Sequence, residues 1–221
     1  MLSLETARPW YPTHDPVHGF DHVERVYHMA EHLASAEGAD LEIARAAALL
    51  HDASGSHPAE QADRETHQHA SAEFARQVLQ GEGWPEERIQ AVLHCIRAHR
   101  FRDDSERPQT LEATILFDAD KLDAIGAIGI ARAIGYSVQA NQLAYSPPSP
   151  RFLQTGEKEA GEAHSAYHEY LYKLVRLKDM LYTPAARRIA ERRHRILVEY
   201  FEALRAEASC ADVGLQPPDQ G

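Results

Sequence analysis

Apolar residues recur along most of this chain at intervals of three and four, the spacing of a helix that buries one face. Val23, Val26, Tyr27, Ala30, Leu33 and Ala34 form the first such stripe, and Gly38 predicts its end. Asp21 with Glu24 three residues on has the form of a capping box, while Asp15-Pro16 offers an earlier start. A short helix is expected from Asp40. Its apolar run Ala46-Ala47-Ala48-Leu49-Leu50 closes on His51-Asp52, and Ser54-Gly55-Ser56 with Pro58 then breaks it. Two more helices are predicted from His67 to Gln80 and from Pro85 to His99, the second with Ile89, Val92, Leu93 and Ile96 on one stripe.

The segment Leu111 to Ile125 follows, and then the small-residue run Gly126 to Ala131, where backbones can approach closely. Ser146-Pro147-Pro148-Ser149-Pro150 predicts a loop, either a lid or a connector. Thr183-Pro184 supplies an N-cap and a first-turn proline to a last helix, with Ile189, Ile196, Leu197, Tyr200, Phe201 and Leu204 expected on its buried stripe. Neither β-alternation nor an internal repeat is present. The pattern predicts an all-α protein: a single helical bundle with a long C-terminal helix over residues 1–208, and a disordered tail over 209–221 around Gln216-Pro217-Pro218-Asp219.

A length of 221 residues, 43% of them hydrophobic, is enough for one substantial core. The net charge of -11 argues against duplex nucleic acid or an anionic membrane as partner. It leaves room for a small polyphosphate, because a cation and local Arg or Lys groups can reverse the sign inside a cleft. Cys95 and Cys210 carry no pairing signature, no apolar run approaches membrane-spanning length, and the N-terminus lacks a basic, then apolar, leader. A reduced, cytoplasmic setting is the expectation. The histidines, 14 in all, carry more information than the charge does.

Three places concentrate candidate chemistry. His22 lies where the apolar stripe of its helix meets the polar face, with Arg25 one turn on. His51-Asp52 ends an alanine-rich helix; a buried hydrogen-bonded pair at a helix end would account for it structurally, but two polar groups there become intelligible if both address one divalent cation. The third is Asp118-Ala119-Asp120-Lys121-Leu122-Asp123, whose helical geometry does not choose among its three carboxylates.

This ordered set, His22 with Arg25-Val26, Leu49-Leu50-His51-Asp52, and Asp118 to Asp123 followed by Gly126-Ala127-Ile128-Gly129, resembles the HD-domain superfamily of metal-dependent phosphohydrolases. The likeness spans His18 to Leu204 and is nearest to the small stand-alone bacterial predicted HD hydrolases, some of which act on nucleotides. It implies that His22, His51, Asp52 and Asp120 hold the metal, since Asp120 occupies the pattern Ala-Asp-basic-Leu. It further implies that His67 and His99 line the site, holding a second metal or meeting substrate phosphate. His69 and His94 point to the opposite faces of their helices. His18 matches a histidine one turn before the first ligand, although Gly19 departs from the aspartate usual after it.

The resemblance implies one divalent ion (Mn, Mg, Co, Ni or Fe), or two, and a small-molecule phosphate substrate such as a nucleotide. A cation of this kind activates water for in-line attack on phosphorus. Asp52 and Asp120 are expected to hold that water, and Arg25, Lys121, His99 and Arg132 are candidates to neutralise the transferring phosphate. Gly126 and Gly129 lack the lysine and preceding strand of a phosphate loop. Tyr167, Tyr170, Tyr172 and Tyr182 read as core and rim aromatics, and His164 and His168 as pocket-lining at most. Two other functions compete: a di-iron oxygenase, which needs both His67 and His99 as ligands, and a catalytically silent nucleotide-binding regulator. Oligomeric state is not legible in the sequence.

Overall fold

The structure, a computed structural model, describes residues 2–11, 19–53, 67–100 and 106–211, the His67 side chain excepted. Helices and turns account for these residues, apart from an isolated bridge between Leu143 and Ser165, so the protein is all-α. Asp15-Pro16, the breaker Ser54 to Pro58, and the tail from 212 lie outside the described residues. The chain forms two compact units, Met1–Asp123 with Leu181–Ile189, and Ala124–Met180 with Ala190–Gly221.

The first unit contains α1 (Leu4–Ala7) with a 3-10 turn over Arg8–Trp10, α2 (Phe20–Glu37), α3 (Leu41–Leu50), α4 (His67–Gly81), α5 (Glu86–Arg97) and α6 (Leu111–Asp123). α2 ends as the sequence predicts, on Gly38 in the left-handed conformation at φ 76. Its start differs. Gly19 is the N-cap and makes no side-chain bond, and Asp21 reaches forward to accept from Arg25 Nη1 at 2.7 Å. The expected capping box does not form because that carboxylate has a charged partner one turn on. Asp40 caps α3 as expected, its Oδ1 accepting from the amides of Glu42 and Ile43.

α2 packs on α3 and α6, and α6 also packs on α3 and α5, so α6 is covered on several sides. Leu50, Ile96, Leu116 and Leu122 are completely buried, each contributing about 1.5–3 kcal/mol over an exposed side chain. The same coverage buries Asp118, Lys121 and Asp123 of α6, and each of these must find a partner or cost several times what it contributes. Asp118 accepts from the backbone amides of Tyr182 and Thr183 at 2.9 and 2.8 Å and from the Thr183 hydroxyl at 2.7 Å. Burial raises the Asp118 carboxyl, and these three donors pull against it.

The second unit contains α7 (Gly126–Gln139), α8 (Pro150–Thr155), α9 (Ala166–Tyr172), a 3-10 stretch over Leu174–Met180, and the part of α10 (Pro184–Ala208) that follows Ile189. Thr183 is the cap foreseen for α10, its Oγ1 accepting from the Ala186 amide at 3.2 Å. Gly126 has φ 76, and a Cβ added there would lie 3.0 Å from Arg193 Cβ, which is the close approach expected of the small-residue run. The buried stripe of α10 is narrower than predicted: Ala190, Leu197 and Phe201 are buried, while Tyr200 is 40% exposed and Ile189, Ile196 and Leu204 are half-buried. Phe201 fills that space by stacking on Tyr170 at 4.5 Å, which leaves Tyr200 only the edge of the Phe201 ring. Cys95 is buried and Cys210 exposed, both as free thiols, and no helix among the described residues is long and apolar enough to cross a membrane.

Candidate metal centre

Ala44, Ala46, Ala47 and Ala48 of α3 are buried, and the helix stops at His51, its C-terminal cap. Three of the carbonyls exposed by that stop are taken up. Ala48 O accepts from His51 Nδ1 at 2.8 Å, Leu49 O from the Tyr11 hydroxyl at 2.7 Å, and Leu50 O from the Ala53 amide at 3.3 Å. His99, just past the end of α5, repeats the device by donating Nδ1 to Ile96 O at 2.5 Å. In both rings the neutral tautomer is thereby fixed with the lone pair on Nε2.

His22, in the first turn of α2 and 1% exposed, is fixed by a different partner. Its Nδ1 donates to Asp123 Oδ2 at 2.7 Å. Its Nε2 then stands 3.4 Å from His51 Nε2, 3.5 Å from Asp120 Oδ1 and 4.0 Å from Asp52 Oδ2. Asp52 Oδ2 is 3.6 Å from His51 Nε2, and Asp52 Oδ1 is 3.7 Å from His99 Nε2. Two imidazole nitrogens that both present lone pairs repel each other at such a separation. Ligand atoms sharing a cation with bonds near 2.1 Å lie roughly 3–3.5 Å apart. One ligand atom each from His22, His51 and Asp52 lies within 4.8 Å of the others, so these three could hold a metal ion, and Asp120 adjoins them through His22.

Electrostatics divide the site. Burial by itself would raise the Asp120 carboxyl, but the neighbouring Lys121 ammonium leads the charges that override it and hold it well below the usual carboxylate range. Burial also keeps His99 neutral, its pKa pulled down to about 3 despite the neighbouring Asp52. A neutral imidazole facing ionised carboxylates is the protonation state that binding a cation requires.

Two of the cationic side chains expected to meet phosphate, Lys121 and Arg25, are engaged with the protein instead. Lys121 Nζ donates to Asp120 Oδ2 at 2.6 Å and to His99 O at 2.9 Å, and lies over the Phe117 ring. Arg25 donates Nε to Asp123 Oδ1 at 2.7 Å, Nη2 to Asp123 Oδ2 at 3.1 Å and Nη1 to Asp21. Burial opposes the Arg25 charge, and these two carboxylates more than restore it. His69 is exposed, while His94 pairs with Glu106 at 2.7 Å, so neither belongs to the centre. His18 and the His67 side chain lie outside the described residues. Sequence reasoning passed over Asp123, whose signal was its place three residues after Asp120, matching Arg25 three residues after His22. It also missed Tyr11, which nothing local marks.

Known proteins resemble this chain in sequence and in fold. A family model for the HD domain matches residues 19–125. The uncharacterized protein YpgQ of Bacillus subtilis is 33% identical over 190 residues, spanning 85% of this chain and 82% of YpgQ. The crystal structure of YpgQ in complex with ADP is similar with a TM-score of 0.69 at 30% identity, covering 93% of this chain and 97% of that one. An HD-superfamily hydrolase from Bacillus thuringiensis gives a TM-score of 0.68 at 29% identity, covering 93% and 94% of the two chains. The present chain belongs to the HD-domain superfamily, and its structural neighbours include HD-superfamily hydrolases.

Proposed function

We propose that this protein is a metal-dependent phosphohydrolase that uses activated water to cleave a phosphate ester or anhydride bond of a nucleotide or related small molecule. One observation carries the reading: Nε2 of His22 and of His51 face each other at 3.4 Å, each ring bonded through Nδ1, with carboxylates of Asp52 and Asp120 beside them. Nitrogen and oxygen donors in that mixture suit Mn, Mg, Co, Ni or Fe. The crystal structure of YpgQ with ADP supports a nucleotide as the class of ligand.

His22, His51, Asp52 and Asp120 would hold the ion, and His67 with His99 would complete a second position if two are bound. A divalent cation there supplies a Lewis acid for the phosphoryl oxygen and lowers the pKa of water toward neutrality. Asp52 would accept the proton of the attacking water, its Oδ1 standing 3.7 Å from His99 Nε2. His99 lines the position of the substrate phosphate. Lys121 acts through its bonds to Asp120 and to His99 O, fixing the Asp120 carboxylate so that its second oxygen faces His22.

The test is turnover by metal-loaded protein against nucleoside mono-, di- and triphosphates with Mn²⁺, Mg²⁺, Co²⁺ and Ni²⁺, and again after chelation. Phosphate or pyrophosphate release that EDTA abolishes and Mn²⁺ restores is expected. Failure to cleave any phosphate ester would sink the proposal, and two irons per chain with O₂ consumption would replace it with the oxygenase.

A further inference from the structure

We infer that Asp123, clamped by Arg25, is a positioning residue that strengthens His22 as a donor and so sets the metal affinity of the centre. The inference rests on the metal-centre reading above and goes beyond its ligand set. Three imidazoles of the described residues meet at the site, and their Nδ1 partners differ in kind. His51 and His99 donate to neutral backbone carbonyls, Ala48 O and Ile96 O. His22 donates instead to a carboxylate, Asp123 Oδ2 at 2.7 Å. A negative partner draws the Nδ1 proton toward itself and leaves more electron density on Nε2, the atom turned toward His51 and Asp120. A carbonyl dipole fixes the same tautomer with a weaker pull.

Arg25 is what holds that partner in place. The Asp123 side chain is only 5% exposed, so its orientation is set by the groups packed against it. Arg25 faces it with two prongs of the guanidinium, Nε at 2.7 Å to Oδ1 and Nη2 at 3.1 Å to Oδ2. This fork also fixes the plane of the carboxylate, and with it the direction in which Oδ2 meets His22. The third prong, Nη1, is held from the opposite side by the exposed Asp21 at 2.7 Å. Arg25 and Asp21 lie one turn apart on the helix that carries His22, so one helix supplies both the ligand and the clamp on its supporting acid. Arg25 therefore works through Asp123 and His22, and a substrate phosphate would have to break three short bonds to recruit it.

The experiment is titration of metal-free protein with Mn²⁺ by calorimetry, for wild type, D123N, R25Q and R25K, each first confirmed folded by its helical circular dichroism. The amide introduced by D123N keeps an oxygen acceptor for His22 Nδ1 but removes the charge. The expected result for D123N is Mn²⁺ binding weakened about 10–100-fold, the range seen when supporting carboxylates of metal-bound histidines are altered. R25Q is expected to weaken binding less, by about tenfold, and R25K to recover part of that loss, because it restores charge without the fork. A purely structural role would not be rescued by charge alone. Should D123N fail to fold, R25Q and R25K carry the measurement. Wild-type protein that binds no Mn²⁺ overturns the metal reading and this inference together. Wild type that binds Mn²⁺, with variants that bind it equally tightly, overturns this inference alone.

Discussion

The molecule buries histidines in two regions with different kinds of partner. In the second unit, His168 is fully buried, its Nδ1 meets Ser165 Oγ at 2.7 Å and its Nε2 meets Glu162 Oε1 at 3.0 Å. Glu162 in turn accepts from the Ser149 amide and hydroxyl and from the Glu159 amide. Both ring nitrogens are matched to groups of the protein, and the result is a clasp that ties the Pro-rich connector before α8 to the start of α9. In the first unit, His22, His51 and His99 are equally buried, and their Nδ1 atoms are matched in that way. Their Nε2 atoms instead stand 3.4 to 4.0 Å from one another or from the carboxylates of Asp52 and Asp120, a cluster of donors that could hold a cation. Burial and histidine content do not separate a ligand from a strut. The partner of each nitrogen does.

Substitutions can break this contrast, and the largest effect belongs to the first unit. His51→Ala is expected to reduce phosphohydrolase turnover by about 1000-fold or more, since several kcal/mol of transition-state stabilisation depend on the cation. Metal content should fall with it, as plasma emission spectroscopy on purified protein would show. His168→Ala should leave metal content at the wild-type value; loss of metal there would erase the distinction. Its cost should instead appear as stability. Removing a buried ring and its bonds to Ser165 Oγ and Glu162 costs about 2 kcal/mol, a fall in Tm of roughly 4–8 °C by calorimetry.

The smallest effect is a pH dependence. Burial pushes the Glu162 carboxyl up, but the Ser149 and Glu159 donors and His168 outweigh it and hold the group at about 2. A folded-state value below the unfolded one means the stabilisation is complete above about 4.3 and is lost as pH falls from there toward 2. Glu162→Gln should therefore flatten that part of the acid limb in denaturant titrations at successive pH values, and an unchanged acid limb would remove Glu162 from the account.

Much of the centre was legible before the fold was known, because helical spacing and residue chemistry converge there. His22 at a stripe border, His51-Asp52 closing an alanine run, and an acidic segment of which Asp120 is one member could all be read from the chain. What could not be read was the use of the charges between them. Arg25 and Lys121 look like phosphate-binding groups in one dimension, and only the packing of α6 against α2 and α5 turns them onto Asp123, Asp120 and the His99 carbonyl. Asp118, Asp120 and Asp123 sit within a turn and a half of one helix and are indistinguishable by pattern. The structure sends them to three destinations: the start of α10, the centre, and the back of His22. The α10 stripe failed for a related reason, since periodicity counts apolar residues but cannot tell which of Tyr200 and Phe201 finds a stacking partner.

By itself, then, the sequence determined the main helices of the first unit and the ends marked by Gly38, Asp40 and Thr183-Pro184, because these signals act within a few residues of where they stand. It also determined the inventory of donors, because imidazole and carboxylate groups keep their chemistry in any fold. Only the tertiary structure decided which donor faces which. Hydrogen-bond partners 98 and 101 positions apart along the chain, Arg25 and His22 on Asp123, are fixed by how helices pack, and burial in that packing makes each unpaired charge too costly to leave to chance.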